Sequence, residues 1–268
     1  MPFGDRKREE VLEEAARELL QKVFCVSGKH VEVEFFMTSI RDRIDGLGMM
    51  PSPGLQEDLL HELSLLKRRG IAPDKGQDKK RGSLDPELFP NLSHLREADF
   101  TSAVRDSLKG AGVTIDAGLI TPVALEFAAR LCERCKTYPD TLGTLDALKE
   151  RGFILGIVSN TSIPPKIIDR YLLESGILER VNFRVLSSET GWRKPHPAIY
   201  KEALDRAGVF PRETLFVGDR FLEDVAGPKS FGMKAALCRF EGMPLLEVPD
   251  EFLPDLNISE LRELLATI

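Results

Sequence analysis

Apolar positions along the chain change period twice, and each change marks a different kind of structure. Between Lys7 and Gln21, Val11, Leu12, Ala15, Leu19 and Leu20 share one face while Glu and Arg fill the other, which predicts a helix. A short β-rich run, Val23-Phe24-Cys25-Val26, follows and ends at Ser27-Gly28-Lys29. From Val31 to Phe36, Val31 and Val33 alternate with Glu32 and Glu34, as in a half-exposed strand or hairpin arm. From about Met37 to Thr137 the period is helical. Leu55, Leu59, Leu60, Leu63 and Leu66 form one stripe; Ile120, Ala124, Phe127, Ala128 and Leu131 form another. Between them, Ile71 to His94 is rich in Pro, Gly, Lys and Asp and reads as a long surface loop.

After Pro139, apolar strands alternate with amphipathic helices. The pattern predicts helix Thr141–Glu150 before strand Phe153–Val158, and a helix after Pro164 before strand Phe183–Leu186. Helix Ala198–Ala207 then precedes strand Leu215–Val217, and a helix over Phe221–Ser230 precedes strand Ala235–Cys238. Such alternation means an α/β fold with a parallel sheet covered on both faces. In these sheets the chemistry gathers beyond the carboxyl ends of the strands.

Composition narrows the function classes. A chain of 268 residues, 42% hydrophobic, can bury a substantial core. Its net charge of −6 offers no basic excess for phosphate backbones, so nucleic acid is not an expected partner. The N-terminus is charged from residue 5 onward and no apolar run reaches spanning length, so no leader and no membrane partner are expected. Four cysteines without framework spacing fit a reducing, cytoplasmic setting. Cys132-Glu133-Arg134-Cys135 has metal or redox spacing, yet it sits on an amphipathic helix with no second such pair and reads as structural.

Three strand ends carry polar residues that packing does not require. Strand Phe153–Val158 ends in Ser159-Asn160-Thr161, and a later loop reads Gly191-Trp192-Arg193-Lys194-Pro195-His196-Pro197. Strand Leu215–Val217 ends in Gly218-Asp219-Arg220-Phe221-Leu222-Glu223-Asp224. Singly, Ser159 and Asn160 could start a turn, Lys194 could be a solvated loop lysine, and Asp219 and Asp224 could be a helix cap and a surface acid. Together they place a hydroxyl, an ammonium and two carboxylates on one rim. Phosphoryl transfer with a divalent cation needs that set: donors for phosphate oxygens, a cation for developing charge, and hard oxygens for Mg²⁺.

The segment Tyr138–Thr161, the run RKPHPAIY and the run GDRFLEDVAGPKSFGM resemble motifs II, III and IV of the haloacid dehalogenase superfamily. The resemblance covers essentially all of residues 138–268, including PDLNISELRELL. It implies a Rossmann-like core of five parallel strands with an α-helical cap inserted after the first. The domains are then an N-terminal helical extension (1–22), a core (23–36 and 138–268) and a cap (37–137). The resemblance further implies that Ser159 and Asn160 hold phosphate, that Lys194 stabilises charge, and that Asp219 with Asp224 holds or orients Mg²⁺. Most members are phosphatases of small phosphorylated metabolites; a few are dehalogenases.

The family's reaction begins with an aspartate at the end of the first strand, in a DxDGT-like motif whose second aspartate moves the proton. None of the 18 aspartates here is separated from another by a single residue. Val23–Lys29 fits the place by pattern, putting Cys25 where the nucleophile belongs and Ser27 at the acid/base position. A thiol phosphatase would carry an arginine six residues beyond its cysteine; here that residue is Val31. The expectation is a family member that keeps motifs II–IV for phosphate and Mg²⁺ but has lost the nucleophile: an impaired enzyme or a phospho-ligand-binding pseudoenzyme. The alternative is an active phosphomonoesterase or dehalogenase using Cys25 or an unrecognised group.

Overall fold

The computed structural model describes residues 10, 13–21, 23, 32–43, 53–69, 90–239 and 249–268. In chain order the longer helices begin with α1 (residues 13–21), α2 (Val33–Arg43), α3 (Pro53–Arg69), α4 (Phe100–Gly110) and α5 (Ala117–Glu133). They continue with α6 (Thr141–Glu150), α7 (Pro165–Glu174), the short turn α8 (Ser187–Thr190) and α9 (Pro197–Ala207). Five strands accompany them among the described residues: β1 (Gly156–Ser159), β2 (Phe183–Leu186), β3 (Leu215–Gly218), β4 (Lys234–Cys238) and β5 (Leu256–Ile258). None of the described helices is long and apolar enough to cross a membrane.

The chain divides into two compact units. One comprises Met1–Met49, Glu97–Pro139 and Thr161–Glu179, and its described elements are helices joined by short loops. Phe36, Ile40, Phe100, Val104, Phe127 and Ala128 are buried at its centre. The rings of Phe36 and Phe127 meet edge to face at 5.9 Å. Each fully buried phenyl ring contributes roughly 1.5–3 kcal/mol. Asp99 and Asp116 start α4 and α5 by accepting N–H bonds from Ser102 (2.7 Å) and Gly118 (2.8 Å), satisfying donors that a helix leaves open.

A helix now stands where the sequence predicts a strand over Val31–Phe36. Val33 begins α2, and the Glu32 carbonyl ahead of it already accepts the Phe36 N–H at 3.0 Å. Phe36, Met37 and Ile40 are all buried, and only a helical turn brings that spacing onto one face. Burial of three large side chains outweighs a two-residue Val/Glu alternation. Val23, expected to open a strand, is buried and helical; the rest of that run lies outside the described residues.

The second unit comprises Met50–Arg96, Asp140–Asn160 and Arg180–Ile268, and it holds all five strands. β1 pairs with β2, and β3, β4 and β5 pair in that order; every pairing is parallel. The α/β parallel architecture expected from the alternation is therefore present. β1 is shorter than the apolar run Phe153–Val158 because its ladder begins where β2 begins, with Gly156 opposite Phe183. Ahead of it the Asn182 side chain accepts the Leu155 N–H (2.9 Å) and ends the pairing, leaving Phe153 and Ile154 exposed. α9 covers β1 and β2 through Ile199, Tyr200 and Ala203 against Val158 and Val185. α3 buries Leu59, Leu63 and Leu66 against Phe221, Leu222 and Val225, which follow β3.

Candidate active site at the strand ends

The sequence-predicted residues lie at the carboxyl ends of β1 and β3, strands of two separate ladders that Lys194 links through Val158 and Asp224. Ser159 is the last residue of β1, half-buried, and Asn160 follows it. The Asn160 side chain works as a second strand edge: its Oδ1 accepts the Lys194 N–H (2.6 Å) and its Nδ2 donates to the Lys194 carbonyl (3.0 Å). Both bonds go to the backbone of the lysine loop, so Asn160 fixes where that loop lies. The Lys194–Pro195 peptide in the loop is cis.

The Lys194 side chain turns inward and is 8% exposed. Its Nζ donates to the Val158 carbonyl at 3.0 Å and to Asp224 Oδ1 at 2.7 Å. It lies 5.3 Å from the centroid of the Phe216 ring on β3. A buried ammonium persists only when charge and hydrogen bonds replace the water it has lost. Asp224 is itself buried, and its other oxygen, Oδ2, accepts the Arg220 N–H at 3.0 Å. Asn160, Lys194 and Asp224 therefore form one connected network between the end of β1 and the segment after β3.

That segment, Phe221–Ala226, is a π-helical turn, whose wider i→i+5 pitch is rare and recurs at functional sites. Two close approaches hold it. A Cβ on Gly218 would fall 2.3 Å from the Asp224 carboxylate, so only glycine lets that carboxylate lie against the end of β3. A Cβ on Gly227 would fall 2.2 Å from the Tyr200 hydroxyl, which donates to the Glu223 carbonyl (2.6 Å). Burial pushes the Glu223 carboxyl above its ordinary value, with Asp224 adding to the rise and Arg220, 3.5 Å away, opposing it.

The outer side of the lysine loop is held by stacked rings. Trp192 and His196 lie nearly parallel at 3.9 Å, and the Arg96 guanidinium sits 3.9 Å over the indole. Arg96 also bridges to Trp192 through the backbone, and the Arg193 N–H donates to the Leu95 carbonyl (2.9 Å). His196 Nδ1 accepts the Ala198 N–H (3.2 Å) and caps α9, which fits the loop-shaping part its position suggests. Burial first, and Arg96 second, lower His196 to about 4, so it is a neutral imidazole at pH 7.

Asp219 follows Gly218 directly and is half-buried. It contributes, after burial, to raising the Cys238 thiol to about 11. Cys25 and Ser27 lie outside the described residues. Of the sequence-predicted residues, the structure joins Asn160, Lys194 and Asp224 by hydrogen bonds, while Ser159 and Asp219 lie at the ends of β1 and β3. The reading of Asp224 as a direct Mg²⁺ ligand meets a specific obstacle: both its oxygens are engaged, by Lys194 and by the Arg220 amide. Among the described residues no three His, Cys, Asp or Glu side chains form a metal cluster. That leaves Asp219 as the described carboxylate of the pair that could offer Mg²⁺ an oxygen, an ion that one or two carboxylates hold together with waters and substrate phosphates. Sequence reasoning missed the Val158 carbonyl, Phe216, Tyr200 and the Arg96–Trp192 stack. A backbone acceptor leaves no trace in sequence; the chain's only tryptophan, two residues before Lys194, was a legible signal.

Comparison with known proteins identifies the family. Residues 53–232 match the family described as haloacid dehalogenase-like hydrolase. A glyceraldehyde 3-phosphate phosphatase of Methanopyrus kandleri is 37% identical over 134 residues, 50% of this chain and 57% of that enzyme. The chain thus spans little more than half the length of that relative. Haloacid dehalogenase-like hydrolase domain-containing protein 3 of Danio rerio is 30% identical over 173 residues, 62% of this chain and 70% of that protein. Among solved structures, an HAD phosphatase of Thermococcus onnurineus superimposes with a TM-score of 0.50 at 25% identity, covering 79% of this chain and 88% of that one. The family match over most of the chain, with the lysine, asparagine and carboxylate network at its strand ends, places this protein in the haloacid dehalogenase-like hydrolase family.

Proposed function

We propose that the chain binds the phosphoryl group of a small phosphorylated metabolite at the carboxyl ends of β1 and β3, and turns it over slowly or not at all. One observation carries the binding half. An ammonium has three N–H donors, and among the described residues two of those on Lys194 are taken, by Val158 and Asp224. The third is the donor a phosphoryl oxygen takes, with the Ser159 hydroxyl supplying a neighbouring bond. Asn160 holds the loop that carries Lys194, and Asp224 keeps the ammonium aimed. The phosphatase relatives support a small phosphorylated ligand. The turnover half rests on sequence: Cys25 and Ser27 occupy the places of the family's two aspartates, so neither the usual nucleophile nor the usual proton carrier is present.

Binding is measured by calorimetry with inorganic phosphate and with glyceraldehyde 3-phosphate, with and without Mg²⁺. Ser159→Ala, which leaves the ion pair intact, is expected to weaken phosphate binding about tenfold, the loss of one hydrogen bond to a charged group. Wild-type affinity in both Ser159→Ala and Lys194→Met would overturn the assignment. Hydrolysis of a phosphomonoester is assayed in the wild type, in Cys25→Ala and in Cys25→Asp/Ser27→Asp. Activity confined to the double aspartate variant supports the reading. Robust wild-type hydrolysis abolished by Cys25→Ala would replace it with a thiol mechanism.

A further inference from the structure

Helix α5 ends in a pair of thiols that the candidate site does not use. Glu133 is its last residue, Arg134 caps it, and the Cys135 N–H donates to the Cys132 carbonyl at 2.9 Å. A hydrogen bond across three residues closes a turn that keeps its end Cα atoms within about 7 Å. A disulfide spans Cα separations of about 4.4–6.8 Å. Neither cysteine is in a disulfide.

Both thiols line a cavity of about 330 Å³ beside α5 and α7, with Tyr171, Ile167, Arg170 and Lys136. Cys132 is buried, whereas Cys135 is half-buried and donates from Sγ to the Leu131 carbonyl (3.4 Å). Burial pushes the Cys132 thiol up to about 12, and the neighbouring Cys135 and Glu133 add to the rise. Burial likewise raises Tyr171 to about 12, with both cysteines contributing. Cys132, Cys135 and Tyr171 thus all line the same cavity.

A metal is a poor occupant, because two thiols are not the four ligands zinc requires and no third His, Cys, Asp or Glu joins them among the described residues. A standing thiolate nucleophile is excluded by the protonated state of Cys132 at pH 7. Redox chemistry remains, and here protonation helps. Low-pKa cysteine pairs favour the reduced form by stabilising its thiolate; Cys132, which burial keeps as a neutral thiol, lacks that stabilisation, and the turn closed by the Cys135 N–H sets the two residues at a separation a disulfide spans.

We propose that Cys132 and Cys135 are a reversible dithiol–disulfide site whose co-substrate is a low-molecular-weight disulfide entering this cavity. Cys135, the more exposed thiol, loses its proton to solvent and attacks one sulfur of the R–S–S–R. Its S–S bond breaks, a thiolate RS⁻ leaves, and a mixed disulfide forms on Cys135. Cys132 then loses its proton, attacks the Cys135 sulfur and expels the second RS⁻. Two electrons pass from the cysteine pair to the co-substrate, and the two departing thiolates recover protons from solvent.

The sequence makes the test direct, because trypsin cuts after Arg130, Arg134 and Lys136 and separates the cysteines into LCER and CK. The intact folded chain is incubated with mixtures of oxidised and reduced glutathione, quenched with acid, alkylated, digested and weighed. Expected is a single species joining LCER to CK, reversed by dithiothreitol and absent from Cys135→Ser, while Cys238 is recovered alkylated. Its rate should rise with pH, by up to about tenfold per unit between 7 and 9, following the thiolate fraction. A lasting glutathione adduct on Cys135 without the cross-link would overturn the proposal. So would a cross-link to Cys25 or Cys238, or joining only after denaturation.

Discussion

The Lys194–Asp224 pair allows a quantitative check, because each partner is buried and each has one other named bond. Lys194→Met removes the ammonium and leaves the Asp224 carboxylate with only the Arg220 N–H. Asp224→Asn strands the ammonium on the Val158 carbonyl. An uncompensated buried charge costs about 3–5 kcal/mol. The double variant Lys194→Met/Asp224→Asn buries no charge, and the amide that replaces the carboxylate still offers an oxygen to the Arg220 N–H. Its loss should therefore fall about 2 kcal/mol or more short of the sum of the single losses. Urea unfolding at pH 7 measures this, each variant compared with wild type at constant m. Single losses that add to within about 0.5 kcal/mol would refute the idea that these two charges hold each other.

Other outcomes follow from the same geometry. Gly218→Ala drives a methyl into the Asp224 carboxylate and should cost about 1–3 kcal/mol, read as a fall in thermal midpoint; an unchanged midpoint contradicts the close approach. His196, held at about 4 against an ordinary 6.5, binds its proton less readily when folded, so its contribution is present above pH 6.5 and is lost as pH falls towards 4. Between pH 7 and 5 that loss amounts to about 2 kcal/mol, and His196→Asn, which keeps a capping oxygen, should show a correspondingly flatter stability profile over that interval. Arg96→Gln should destabilise by about 0.5–1 kcal/mol and Arg96→Lys by less, in the same unfolding assay; equal losses would remove the ring-stacking account.

Legibility in the sequence tracked how local each determinant is. α6 and β2 fall where the periodicity puts them, because a buried stripe and a short apolar run decide them. β1 begins later than its apolar residues do, since strand length depends on a partner that its own sequence does not contain. α2 replaced a strand because Phe36 and Ile40 pack against Phe127, 91 residues after Phe36, and that contact outweighs local alternation. β5 lay hidden in three residues, Leu256-Asn257-Ile258, too few to show a period. In the site, Ser159, Asn160, Lys194, Asp219 and Asp224 were found as residue types at strand ends. Which of them bond to one another was not legible, because spacing along a chain carries no angles. Asn160 is the clearest case: read as a phosphate holder, it is committed through both side-chain atoms to the Lys194 backbone.

That commitment changes what an intact set of motifs means. A chain that carries Lys194 and Asp224 but lacks the family's paired aspartates looks contradictory if all four residues serve only the reaction. The network removes the contradiction. Lys194 ties the end of β1 to the π-helical turn after β3, and Asp224 offsets a buried ammonium that would otherwise destabilise the fold. Losing either one singly has a folding cost whatever happens to catalysis. That single-loss cost gives Lys194 and Asp224 a second reason to be present, so their presence does not by itself argue for turnover. Ser159 has no comparable part in the network, so the effect of Ser159→Ala on phosphate affinity is the measurement that separates a binding site from a structural relic.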